Sequence, residues 1–168
     1  MDTFIHPPTI PESEQALHGE LRRLLSGGVI YHCGPVVIKR DNKWVFTAAG
    51  PTTSIREEPY QADVIEHFSL RAVIGKGGMG AKTLQGCAET PGVYFHAIGG
   101  AATFLAQTVQ KVLGVYKLEE FGVPEVMWVI EVKKFPVVVT MDSHGQSKHS
   151  LLDESSHKVL DDLLARPY

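Results

Sequence analysis

Leu17, Leu21, Leu24 and Leu25 recur three and four residues apart among charged neighbours. That spacing predicts a helix over PESEQALHGELRRLLSGG, with Ser13 as N-cap, Glu12 and Glu14 nearby, and Gly27 and Gly28 as the stop. Two apolar runs follow. VIYHCGPVVI (29–38) and KWVFTAA (43–49) read as strands joined by the polar turn KRDN into a hairpin. The texture then alternates. QADVIEHF reads as a short helix, RAVIG as a strand, AKTLQGCAET as a helix, GVYFHAI as a strand and GGAATFLAQTVQKVL as a longer helix. EVMWVIEVKKFPVVVTMDSHG holds two strands broken at Phe135-Pro136. LDESSHKVLDDLLA reads as a closing helix that packs through Leu160, Leu163 and Leu164. Strand–helix alternation flanked by hairpins predicts a layered α/β fold with a mixed sheet. Residues 1–12, rich in proline, read as a loose arm, and 13–168 as one domain.

Composition narrows the function classes. A chain of 168 residues suits one domain, and its 43% hydrophobic and 21% charged content is ordinary for a soluble protein. A net charge of −3 gives no electrostatic case for nucleic acid or an anionic membrane. No apolar run approaches the roughly 20 residues of a membrane helix, and MDTFIHPPTIPESEQ has no apolar signal core. Cys33 and Cys87 are the only cysteines, which fits a reducing cytoplasm. They are fewer than the roughly four ligands an iron–sulfur cluster commonly takes, so any such cluster would belong to another chain.

Candidate chemistry gathers in three Gly-rich corners that follow predicted strands: AAGPTTSIR (48–56), VIGKGGMG (73–80) and AIGGAA (97–102). Ligands of open α/β sheets collect beyond the carboxyl ends of strands, and a helix N-terminus there adds positive potential. Three such corners could converge on one anion. Gly75, Gly77 and Gly80 satisfy G-x-G-x-x-G, which raises nucleotide binding as an alternative. The acidic residue expected on the next strand is missing, and no Lys-Ser/Thr pair follows the glycines. Lys76 either points inward at a carboxylate or is solvated in a tight turn. Arg56 can clamp a carboxylate through two parallel hydrogen bonds. Thr52, Thr53 and Ser54 offer hydroxyls to a polar substrate, or form a helix-capping turn. Cations from two neighbouring loops suit a dianion.

The ordered set GPTTSIR, VIGKGGMG, YFHAIGGAA and MWVIEVKKFPVVVTMDSHG resembles the β subunit of the class I fumarase and tartrate dehydratase family, equivalent to the C-terminal domain of the fused enzymes. The resemblance spans roughly residues 27–147. It implies a swivelling β/β/α domain and a partner α subunit whose three cysteines hold a [4Fe–4S] cluster with one iron open. It also implies reversible hydration of a small dicarboxylate of the fumarate/malate or tartrate type, in a homo- or hetero-oligomer. By the same resemblance, Arg56 and Lys76 bind substrate carboxylates, Thr52 is the candidate base, and Thr53 and Ser54 supply hydrogen bonds. The chain departs from the family where a Thr-Ala-Arg-Asp stretch should precede the Leu17-His18 match. Without the second arginine of that pattern, a non-catalytic binding or regulatory module is the alternative.

Other residues read as structural. His18, His32, His67, His96 and His144 are scattered, as core or surface histidines are. Asp142 reads first as a turn cap and second as a residue at the site's edge, and Cys33 and Cys87 read as buried thiols.

Overall fold

The computed structural model describes residues 10–165. Residues 1–9 of the expected loose arm lie outside them, and the rest of it is not loose: Ile10 is buried and Glu12 already belongs to the first helix. The first helix, α1, runs Glu12–Leu25. It begins before Ser13, because the Pro11 carbonyl already accepts the Glu14 N–H at 2.8 Å. Pro11, not Ser13, therefore holds the cap position.

The run 29–38 is two strands rather than one. β1 (Val29–Tyr31) and β2 (Val36–Arg40) are separated by His32–Pro35, where Gly34 and Pro35 break the ladder. β2 pairs antiparallel with β3 (Lys43–Ala48) across Asp41-Asn42, both at positive φ (47° and 59°). This is the hairpin expected at KRDN, but the turn is only two residues, since Lys39 and Arg40 belong to β2. A 3₁₀ turn (Ser54–Glu57) leads to α2 (Gln61–Phe68), β4 (Ala72–Gly75), α3 (Ala81–Glu89) and β5 (Val93–His96).

The expected long helix after residue 99 is short. α4 covers Ala102–Gln107, and Val109–Tyr116 is a strand, β6. The Thr108 hydroxyl donates to the Leu105 carbonyl at 2.7 Å and closes the helix. β-Branched Val109 and Val112 then find a partner strand, which outweighs helical spacing. α5 (Leu118–Glu125), kinked at Gly122, lies where the pattern predicts no helix. β7 (Met127–Val132) pairs antiparallel with β6, whereas β8 (Val138–Met141) joins another sheet, so Phe135-Pro136 divides sheets as well as strands. α6 (Lys148–Leu164) ends the described chain.

The central sheet has the order β1-β4-β5-β8, parallel except for the antiparallel edge strand β8. It is mixed, as expected. Two cores flank it. Leu21, Val64, Ile65, Phe68, Val73 and Cys87 bury the helical layer α1–α3 against one face. Phe46, Leu105 and Ala106 form the other core with Tyr31, Val112 and Trp128, from the two hairpins and α4. β1 shows the alternation directly: Ile30 packs on the first core and Tyr31 on the second. Trp128 ties the hairpins together, meeting Trp44 and Phe46 edge-on at 5.4 and 5.5 Å. Among the described residues no helix is long and apolar enough to cross a membrane.

Candidate functional site

The three Gly-rich corners do come together at the carboxyl ends of β1, β4 and β5. After Pro51 the chain runs back into the sheet. Thr52 N–H donates to the His32 carbonyl at 2.8 Å, and Ser54 N–H to the Lys76 carbonyl at 3.1 Å. Thr53 and Lys76 form an isolated parallel bridge. The 52–54 segment thus extends the ladder where β1 stops, beside the end of β4. The third corner closes from the other side: Ala97 N–H donates to the Gly75 carbonyl at 2.8 Å. Ala49 N–H donates to the Ala102 carbonyl at 2.9 Å, with Gly50 packed where a β-carbon would lie 3.0 Å from the Ala102 methyl. The Lys76 stem passes Gly99, with Cδ 3.7 Å from where a β-carbon would stand.

Within this cluster the predicted residues take different places. Arg56 is exposed, and its guanidinium lies 3.4 Å from the Thr52 hydroxyl. Thr53 is also exposed, while Thr52 and Lys76 are half-buried. Ser54 is a correction. It is fully buried, and its hydroxyl already has two internal partners, so it is not open to a substrate.

Those partners form a buried chain whose directions follow from donor and acceptor chemistry. Tyr94 OH donates to Ser54 Oγ at 3.0 Å. His32 Nε2 lies 2.8 Å from Gln61 Oε1, which can only accept, so that nitrogen carries the proton. Burial lowers the His32 pKa, against the hydrogen bond it makes to Gln61, and favours the neutral ring. His32 Nδ1 is then an acceptor, and Ser54 Oγ donates to it at 2.9 Å. Tyr94 also has a raised pKa, chiefly from burial, and stays a donor. His32, Gln61 and Tyr94 therefore hold the loop that carries Thr52 and Arg56. Sequence reading leaves His32 among generic strand histidines; only the fold brings residues 32, 54, 61 and 94 together.

The end of the Gly75 loop is filled by the protein itself. Glu58 accepts from Gly80 N–H at 2.8 Å, from Lys82 N–H at 3.0 Å and from the Thr83 hydroxyl at 2.6 Å. Its carboxylate occupies the N-terminus of α3, the position a nucleotide phosphate would need. Nucleotide binding, the alternative raised by Gly75, Gly77 and Gly80, therefore meets a helix end already filled by the protein's own carboxylate. The signal was an acidic residue four positions after Ser54, legible only once the helix is placed beside it.

The donor set does not fit an iron–sulfur cluster. Cys87 is buried in the helical core and Cys33 packs against the opposite core. Burial pushes both thiols up to about 11, away from the thiolate form a metal needs. Among the described residues no three His, Cys, Asp or Glu side chains gather for a metal ion. The remaining structural readings are settled by contacts. Asp142 Oδ1 caps its turn, accepting from His144 and Gln146 N–H at 2.9 and 3.0 Å. His18, matched to the family's missing segment, lies in α1 with its Nε2 2.8 Å from that of His67 in α2.

Fold and site together define a mixed-sheet α/β domain in which the loop bearing the Thr52–Arg56 pair is bridged through Thr53 to the backbone of Lys76. The model of the fumarase C-terminus family matches residues 14–152, and the chain belongs to that family. It is 59% identical over 137 residues to a protein of Geobacillus stearothermophilus provisionally named class I fumarate hydratase, covering 81% of this chain but 26% of that one. It is 38% identical over 141 residues to a provisionally named L(+)-tartrate dehydratase subunit beta of Methanocaldococcus jannaschii, covering 83% of this chain and 72% of that one. Against L(+)-tartrate dehydratase subunit beta of Escherichia coli it is 39% identical over 124 residues, covering 73% and 61%. The chain thus spans about a quarter of the Geobacillus relative and well over half of the two β subunits.

Proposed function

We propose that this chain is the β subunit of a cytoplasmic, iron–sulfur-dependent hydro-lyase that adds water to, or removes it from, a small dicarboxylate. Residues 13–168 act as one unit in this reading. A separate α subunit bears the cluster, since the thiols of this chain are unsuited to it. The observation that carries the proposal is the Thr53–Lys76 bridge, which joins the two cation-bearing loops.

Loss of a proton beside a carboxylate builds negative charge, and pre-positioned cations stabilise it. Arg56 offers a planar fork for one carboxylate and Lys76 a point charge for the other. In this reading Thr52 is the base, and the guanidinium 3.4 Å from its hydroxyl favours the alkoxide. Thr53, exposed on the same segment, supplies a hydrogen bond. Ser54 contributes through the loop's shape.

The test is co-expression with a cluster-bearing α subunit, followed by fumarate and tartrate turnover. Arg56→Ala and Lys76→Ala each lower kcat/KM about 10- to 100-fold, the scale of one lost charge-assisted contact. Unchanged turnover would reject the assignment. The absence of Thr-Ala-Arg-Asp before Leu17-His18 favours a second reading, a non-catalytic module. A cluster-loaded complex that turns over neither substrate supports that reading instead.

A further inference from the structure

The closing helix contradicts its expected packing. None of the residues of α6 is buried, and Leu152, Leu163 and Leu164 are 68%, 53% and 75% exposed. Leu152, Ser156, Val159, Leu160, Leu163 and Leu164 share one face at helical spacing. Ser147 caps the helix, its hydroxyl accepting from Ser150 N–H at 3.3 Å. His149 anchors its start, with the ring 6.2 Å from Tyr94 and pressed on the Gly78 backbone. Beyond that turn the stripe faces outward. Most helical stability in a protein comes from packing an amphipathic face, and an exposed apolar stripe marks an interaction surface.

We propose that α6 pairs antiparallel with α6 of a second copy of this chain. Charge selects the partner and its direction. Lys148 and Asp162 lie two heptads apart on the same flank of the stripe. Antiparallel pairing sets each Lys148 opposite Asp162 of the other copy, whereas parallel pairing sets like charges together. Ser155 and Ser156 fall at the midpoint, where small side chains let two helices cross closely. Leu152 then meets Val159 of the second copy.

Shape agrees. The first half of the stripe, through His149, Leu152 and Ser156, forms one wall of a groove of about 500 Å³, and Gly77 and Met79 form the other. The antiparallel register delivers Leu163 and Leu164 of the second copy to that groove. The contact is isologous, so it closes as a dimer. A helix pair with one groove is at the small end of stable interfaces, so association is reversible.

Sedimentation equilibrium of the 168-residue chain alone, from low to high micromolar, tests this. The mass is expected to rise from one chain to two. Leu163→Asp abolishes the rise without moving the melting temperature of the domain. Lys148→Glu weakens the dimer roughly fivefold, the scale of two exposed ion pairs, and Lys148→Glu with Asp162→Lys restores it. In a Cys33→Ser background, Ser156→Cys cross-links to itself on mild oxidation and Leu164→Cys does not. A monomer at every concentration, a dimer that survives Leu163→Asp, or cross-linking at 164 but not at 156 would overturn the proposal. So would a chain that is monomeric alone but loses capture of an α subunit on Leu163→Asp.

Discussion

The hydroxyl of Ser54 stands 1.7 Å from where a β-carbon on Gly75 would be. The loop bearing Thr52 and Arg56 can therefore lie against the end of β4 only if residue 75 has no side chain. The same β-carbon would meet the Tyr94 hydroxyl at 2.9 Å. Neither oxygen can yield, because Ser54 and Tyr94 are both fully buried. Gly75→Ala is expected to destabilise the fold by about 3 kcal/mol, at the upper end of overpacking costs. Urea unfolding measures it, and a loss under about 1 kcal/mol would mean the loop relaxes.

Ser54 and Thr53 should respond differently to the same truncation. Ser54→Ala leaves Tyr94 OH and His32 Nδ1 without their shared partner in a buried site, a loss of about 2 kcal/mol. Thr53→Ala touches an exposed side chain and should stay within about 0.5 kcal/mol. Paired thermal melts compare the two. Equal effects would contradict the buried chain.

Glu58 acts as the cap of α3 from outside that helix. Glu58→Ala strips acceptors from Gly80, Lys82 and Thr83 N–H and from the Thr83 hydroxyl. A loss of about 2 kcal/mol is expected. Faster amide exchange at residues 80–83 in the variant is the accompanying signature. Exchange that is unchanged there would show the cap to be dispensable.

Stability should fall on mild acidification. Burial lowers the His32 pKa, and burial with repulsion from His96 lowers that of His149. Each ring therefore binds a proton less readily when folded than when unfolded. Their contribution is complete above the ordinary histidine pKa of about 6.5 and is lost as pH drops through the window beneath it. Unfolding at about pH 7.5 and about pH 5.5 should show the lower midpoint at the lower pH. Equal midpoints would mean that neither ring is held neutral.

Arg56 should not tolerate its charge-conserving replacement. Lys lacks the planar fork, so Arg56→Lys is expected to raise KM for a dicarboxylate about tenfold while the fold stays intact. A KM unchanged in Arg56→Lys but raised in Arg56→Ala would show that charge alone suffices.

Local pattern carried the helix α1, the β2–β3 hairpin, the α/β alternation and the strand-end position of all three glycine corners. These follow from periodicity and turn chemistry, which act over a few residues. Pairing decided the rest. Val109–Tyr116 became a strand because β7 lay beside it, against a helical spacing that local pattern could not overrule. His32, Gln61 and Tyr94 joined Ser54 from three separate stretches of chain, and Glu58 reached the end of α3 from the turn before α2. Hydroxyls that look alike in Thr-Thr-Ser were thereby sorted, Ser54 inward and Thr53 outward, by which side of the extended segment meets β4. The one-dimensional pattern also marked the apolar stripe of α6 without saying what faces it. Burial depends on contacts between distant positions, so residue type and spacing can nominate a side chain, but only the packed chain assigns its neighbours.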